Sequence, residues 1–202
     1  VKGLFKHTDK YLMRENANKK AELTNVQQSY LGGILSTAYC RTQVFTKDVL
    51  KAHDKGAVHI HDMDMSAMEG ITNCSLLNLE DPLYNGTVLN EVGIDPQTKF
   101  SVACTVATQI IQGVAGLQYG GITVTMSHLV PALKMTYNSL REKAYRVAKN
   151  PEEYIKEEYK EKLADGIQTF MYQVNSMYTT QGQTPFLTVN LYSNEVKDED
   201  KH

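Results

Sequence analysis

From Thr24 onward apolar side chains recur at three- and four-residue intervals: Val26, Tyr30, Leu31, Ile34, Leu35, Ala38 and Tyr39. That spacing predicts an amphipathic helix with Thr24 as its N-cap. Gly32 and Gly33 fall in its middle. A glycine pair weakens a helix, so its presence predicts the close approach of another backbone. Cys40 ends the stripe and reads as a small buried thiol. A short helix, KDVLKAHD, follows under a Thr46 cap and stops at Gly56, the usual left-handed residue past a helix end. Residues 57–61, AVHIH, then alternate apolar and polar, which predicts a half-buried strand with His59 and His61 on one face and Asp62 and Asp64 on another. After a turn bearing Met, Ser and Gly, residues 73–79 predict a second short strand with Cys74 near its start.

Turn residues dominate 80–86 and 93–97. Residues 100–118, FSVACTVATQIIQGVAGLQ, are apolar on most of a helical circumference. This predicts a helix buried in a large core or a subunit interface, and self-association through it. Cys104 reads as core. Gly120 and Gly121 break the helix, and 122–126 predict a brief extended segment. Ser127 is the expected cap of a helix over 128–149, whose far end carries Arg141, Lys143, Arg146 and Lys149. Asn150 as cap, Pro151 at the first position and Glu152-Glu153 in the first turn open another helix that reaches about residue 180. A turn at 181–185 leads to the clearest strand, 186–191. That strand has no later one to pair its second edge, which predicts that the chain is a piece of a larger protein. The fold class is therefore α/β and helix-rich.

Charge and composition narrow the function classes. The 202 residues carry a net charge of −2, with 42% hydrophobic and 22% charged positions. That is the balance of a globular protein, and no basic footprint points to nucleic acid or an anionic membrane. No run of 18 apolar residues marks a membrane span and no signal-peptide core opens the chain, so a cytoplasmic location is expected. Three cysteines, Cys40, Cys74 and Cys104, are too few and too scattered for a disulfide framework or a zinc site.

The chemistry-bearing side chains concentrate between His59 and Cys74. Two histidines, the acids Asp62 and Asp64 and a thiol lie within 16 residues. For His59 and His61, three readings stand on the residues alone. They are a metal pair at i, i+2 assisted by Asp62 or Asp64, structural histidines bridging backbone groups, or polar residues of an active site. A metal pair would suit a metal-dependent hydrolase, but no further His or Cys lies close in sequence to complete it. Asn73 and Gln183 read as pocket amides or as turn caps, and Met63, Met65 and Met68 as gap-filling core. Cys74 reads as an inert buried cysteine or as a reactive thiol.

Four segments in this order, GAVHIHDMD, ITNCSLLNLED, TQIIQGVAGLQYGG and GQTPFLTVN, resemble the anaerobic (class III) ribonucleoside-triphosphate reductases, which are glycyl-radical enzymes. The resemblance spans residues 9–192. It implies the N-terminal part of a ten-stranded α/β barrel, incomplete in this chain. On this view 1–56 are a helical leading region, 57–99 the first barrel strand and its loops, and 100–180 a helical dimer-interface region; 181–192 are a barrel strand and 193–202 a tail.

By the same resemblance Cys74 is the first-strand cysteine that donates hydrogen on the 2′ side of the ribose, and His59, His61, Asn73 and Gln183 line the substrate pocket. The thiyl cysteine, the radical glycine and a zinc-binding cysteine cluster would all lie after this region, and an ATP-binding cone before it. No metal or cofactor is therefore expected in the chain itself, and the isolated chain is expected to be inactive. The implied partners are ribonucleoside triphosphates, deoxynucleotide or ATP effectors, an S-adenosylmethionine iron–sulfur activase and a second copy of the chain. A different reading makes this region a non-catalytic module for dimerisation and effector binding.

Overall fold

The computed structural model describes residues 24–67, 74–117, 120–179 and 184–191. It divides into two compact units, one holding residues 1–73, 118–120 and 178–184 and the other 74–117, 121–177 and 185–202.

In the first unit, helix α1 (Thr24–Tyr39) runs into a π-helical turn (Cys40–Val44) and then α2 (Lys47–Asp54). Of the predicted apolar stripe of α1, Val26 is buried with Tyr30 and Leu31 packed against it, whereas Ile34, Leu35 and Tyr39 are exposed and Ser36 is buried instead. At Gly33 it is the Asp64 side chain that comes close, not the backbone that the glycine pair predicted, and Gly32 meets nothing within 4 Å. A Cβ on Gly33 would stand 3.3 Å from the Asp64 Cβ. The Ser36 hydroxyl donates to the Met63 carbonyl at 3.5 Å, and the Cys40 Sγ lies 3.3 Å from the Ser66 hydroxyl. Thr46 caps α2 by accepting from the Val49 amide, and Gly56 takes φ 73°, both as predicted.

The predicted strand over 57–61 does not form. Its amides turn back onto the end of α2: Ala57 and Val58 donate to the Ala52 carbonyl, and Ile60 donates to His53 Nδ1 at 3.2 Å. A segment whose amides are taken locally has none left for a ladder. Residues 61–67 continue as turns, entered through Asp62 at φ 47°.

The second unit is built on a parallel sheet of β1 (Ser75–Leu76), β4 (Ile122–Thr125) and β5 (Leu187–Asn190), in the order β1-β4-β5. Ser75 pairs with Ile122, and Ile122 with Leu187. Parallel neighbours require long crossovers. The first contains α3 (Glu80–Tyr84), the hairpin β2 (Thr87–Leu89) and β3 (Val92–Ile94), and α4 (Phe100–Leu117). The second contains a 3₁₀ turn (Met126–Leu129), α5 (Val130–Val147) and α6 (Pro151–Ser176). The hairpin and α3 are additions to the predicted elements. The hairpin turns through Asn90 and Glu91, both at positive φ, as a type I′ turn demands.

Helix α4 lies in the core and packs against α6 and α5. Nine of its 18 residues are buried, Ile111, Ala103 and Ala107 among them. The circumference that suggested an interface is thus half filled by the chain's own side chains, leaving Val102 and Leu117 as its exposed large apolar residues. By length and hydropathy α4 would also suit a membrane span, a test that core helices pass as well.

Two predicted caps are replaced by other partners. Ser127 does not cap α5, which starts only after the 3₁₀ turn and has Leu129 at its N-cap without a side-chain bond. The Tyr84 hydroxyl accepts from the Ala132 amide at 3.2 Å and donates to the His128 carbonyl at 2.7 Å, tying α3 to the start of α5. Asn150 likewise makes no cap bond; its Nδ2 donates to Glu153 Oε2 at 2.9 Å. Helix α6 ends at Ser176, short of the predicted residue 180.

Candidate functional site

Alternation along the three parallel strands sorts their side chains into two faces. Ile122 and Val124 of β4 are buried, and Leu77 and Leu187 pack with them in the core. Ser75 shares that side, with its Oγ buried and unpaired. The opposite parity puts Cys74, Leu76, Thr123 and Thr188 on the other face, which the helices leave open. Leu76 is 85% exposed there and Cys74 is an exposed free thiol.

The register carries Cys74 one step before the Ser75–Ile122 pair. Gly121 and Phe186 therefore occupy the same row on β4 and β5, fixed by the Ser75 amide donating to Gly121 O at 3.0 Å and the Ile122 amide to Phe186 O at 2.8 Å. A third strand-end bond, from the Leu77 amide to Thr123 O at 2.8 Å, holds β1 straight past the thiol.

The other two cysteines are placed quite differently. Cys40 and Cys104 are both fully buried. Burial pushes the Cys104 thiol up to about 12, so it stays protonated and inert.

His59 and His61 lie in the first unit, and both are exposed. They are not strand neighbours, yet their rings still meet, with centroids 5.6 Å apart. His53 joins them, 5.7 Å from His59, a member that the helix pattern of 47–54 hid. His61 Nε2 stands 3.3 Å from Asp62 Oδ2. Among the described residues no three His, Cys, Asp or Glu side chains converge to hold a metal ion. Asn73 and Gln183, the two expected pocket amides, lie outside the described residues.

The second unit also holds a cavity of about 440 Å³ lined by α4, α5 and α6. Lys99, Lys143 and Lys162 are among its lining residues with Asp165, Ser101 and Ser139, and Lys162 Nζ stands 3.9 Å from the Glu158 carboxylate on the same helix. The start of α4 borders it, where the Phe100 amide donates to Thr136 Oγ1 at 2.8 Å. Tyr154, with its ring 5.8 Å from Lys143 Nζ, helps hold that ammonium above its ordinary range. Such a cavity suits a small polyanion. Of the basic residues at the far end of 128–149, Lys143 lines the cavity, whereas the Arg141 guanidinium lies 6.0 Å from the Tyr145 ring.

Comparison with known proteins gives this arrangement a context. The sequence family described as anaerobic ribonucleoside-triphosphate reductase matches residues 15–202. The chain is 34% identical to the anaerobic ribonucleoside-triphosphate reductase of Salmonella typhimurium over 192 residues, covering 93% of this chain and 27% of that protein. Against the enzyme of the same name from Escherichia coli it is 34% identical over 191 residues, with the same coverage. Against that of Enterobacteria phage T4 it is 34% identical over 193 residues, covering 94% of the chain and 32% of the relative. The chain thus spans 27–32% of the length of these curated relatives. With a match over nearly all of its residues, the chain belongs to the anaerobic ribonucleoside-triphosphate reductase family.

Proposed function

We propose that this chain is part of the catalytic domain of an enzyme that converts ribonucleoside triphosphates to deoxyribonucleoside triphosphates, and that Cys74 donates hydrogen to C2′. The observation that carries the reading is the contrast between cysteines: Cys74 alone is exposed, on the open face of a parallel sheet. Three parallel strands in the order β1-β4-β5, joined by helix-bearing crossovers, support the beginning of an α/β barrel whose lumen that face would line.

A glycyl radical, housed outside these residues and installed by an S-adenosylmethionine iron–sulfur activase, would supply the thiyl that removes hydrogen from C3′. The part played by this chain follows. Once the 2′-hydroxyl has left as water, C2′ needs a hydrogen, and the weak S–H bond of Cys74 provides it. The sulfur then pairs with a second sulfur, and an external two-electron reductant, formate or a dithiol protein, restores the thiol. The exposed His59 and His61 are assigned to the polar wall of the substrate pocket, with Asn73 and Gln183. The full-length, activated protein should turn labelled ribonucleoside triphosphate into deoxynucleotide, and the 202-residue chain alone should not. Absence of product from the full-length protein, with its radical present, would sink the reading.

The cavity favours a regulatory role beside the catalytic one. Three lysines and two hydroxyls are assigned to the triphosphate of a deoxynucleotide or ATP effector, in an enzyme expected to work as a homodimer. Replacing Lys99 or Lys143 by glutamine in the full-length protein should weaken effector binding about tenfold each, the scale of one charge-assisted bond. Effector affinity equal to wild type in both variants would remove this assignment.

A further inference from the structure

Phe186 is 65% exposed although it opens a strand whose neighbour Leu187 joins the core. β5 is an outer strand of the described sheet, and the Phe186 ring stands on the open face, available to a bound molecule. The row it belongs to contains Cys74 and Gly121. A Cβ built on Gly121 would stand 3.3 Å from Phe186 Cδ1, 3.5 Å from Phe186 O and 4.0 Å from Cε1. The ring therefore leans over Gly121, across the place that a side chain there would fill. Adjacent strands lie about 4.8 Å apart, so a ring tilted onto the middle strand comes within roughly one strand spacing of the Cys74 column. Gly121 gives the row a floor without a side chain, flanked by a thiol on one side and an aromatic face on the other.

Resting on the assignment of Cys74 to C2′, we infer that Phe186 is a substrate-binding residue: its ring takes the C–H face of the ribose that Cys74 reduces, with Gly121 as the floor beneath the sugar. A furanose seated over Gly121, the next position of the row, can offer C2′ to the thiol on one side and its C–H face to Phe186 on the other. The first side chain it then meets is Phe186. The contact is apolar and carries no base preference, since the ribose is common to all four substrates.

The test is equilibrium binding of each ribonucleoside triphosphate to the full-length enzyme before activation, at a fixed effector concentration, for Phe186→Ala, Phe186→Tyr and Gly121→Ala. Phe186→Ala should raise the dissociation constant about tenfold for all four, the size of one aromatic contact. Phe186→Tyr should bind as wild type, and Gly121→Ala, which displaces the ring, should weaken binding in the same base-independent way. Unchanged affinity in Phe186→Ala overturns the inference, and so does a loss confined to one base, which would put the ring against the base. A denaturation midpoint lowered along with affinity in Phe186→Ala would make the ring a structural element and overturn it too. Because binding is read without turnover, this outcome is independent of Cys74. Should Cys74→Ser retain turnover while Phe186→Ala still weakens all four substrates, the catalytic assignment falls and the sugar contact stands.

Discussion

Cys74→Ser in the full-length reductase should abolish deoxynucleotide formation while leaving the glycyl radical and substrate binding intact. Serine keeps the size and hydrogen bonding of the thiol but replaces a weak S–H bond with a strong O–H bond. It also cannot pair with a second sulfur. On the proposed mechanism hydrogen removal from C3′ would use another cysteine and survive, so the reaction should stall after that step; tritium released from C3′ or free base would mark the stall. A denaturation midpoint equal to that of wild type would separate this loss from unfolding, as is expected for a thiol on the open face of the sheet and outside the core cluster.

The buried cysteines supply the contrast. Cys40→Ser and Cys104→Ser put a hydroxyl where the side chain is fully enclosed, at a cost of about 1–3 kcal/mol, yet turnover per radical should hold. The measurement is deoxynucleotide yield per glycyl radical in the three variants. Equal yields for wild type and Cys74→Ser would end the catalytic assignment of this thiol.

What could be read ahead from the residues was whatever local rules decide. The Thr46 cap and the Gly56 stop bound α2 because both act within one helical turn. Helices α4 and α6 announced themselves through periodicity, and β4 and β5 through β-branched runs. Residues 57–61 show where that logic fails. Their alternation suits a strand, but a strand exists only if a partner takes its amides, and here the Ala52 carbonyl and the His53 ring take them first. Ser127 and Asn150 fail for the same kind of reason. Each has the chemistry of a cap, yet Tyr84, 48 residues before Ala132, meets that helix's amide, and Glu153 engages the Asn150 side chain.

The candidate site divides along the same line. Cys74 stood out because its neighbours carry a family pattern, but its face follows only from the register of β1 on β4 and β4 on β5. That Phe186 leans over Gly121, or that Lys99, Lys143 and Lys162 share a cavity, depends on which strands and helices become neighbours, and no spacing along the chain encodes it.

Gly166→Ala should destabilise the protein, against the expectation from helix propensity. Gly166 lies inside α6, where alanine is ordinarily better than glycine by about 1 kcal/mol. Here a Cβ would overlap the Phe100 ring and reach 3.5 Å from the Cys104 Sγ. The ring has little room to retreat. Phe100 is 3% exposed, and its backbone is anchored to Thr136 at the start of α4. Overpacking at such a site costs about 1–3 kcal/mol, enough to cancel the propensity gain and leave a net loss where the crossing is tightest. The denaturant midpoint should fall with an unchanged slope, and Phe100→Leu introduced with Gly166→Ala should recover part of the loss, as a coupled pair does. Phe100 also lines the lysine-bearing cavity, so the displaced ring should weaken effector binding along with stability. A midpoint at or above that of wild type would mean that α4 and α6 do not cross at this glycine.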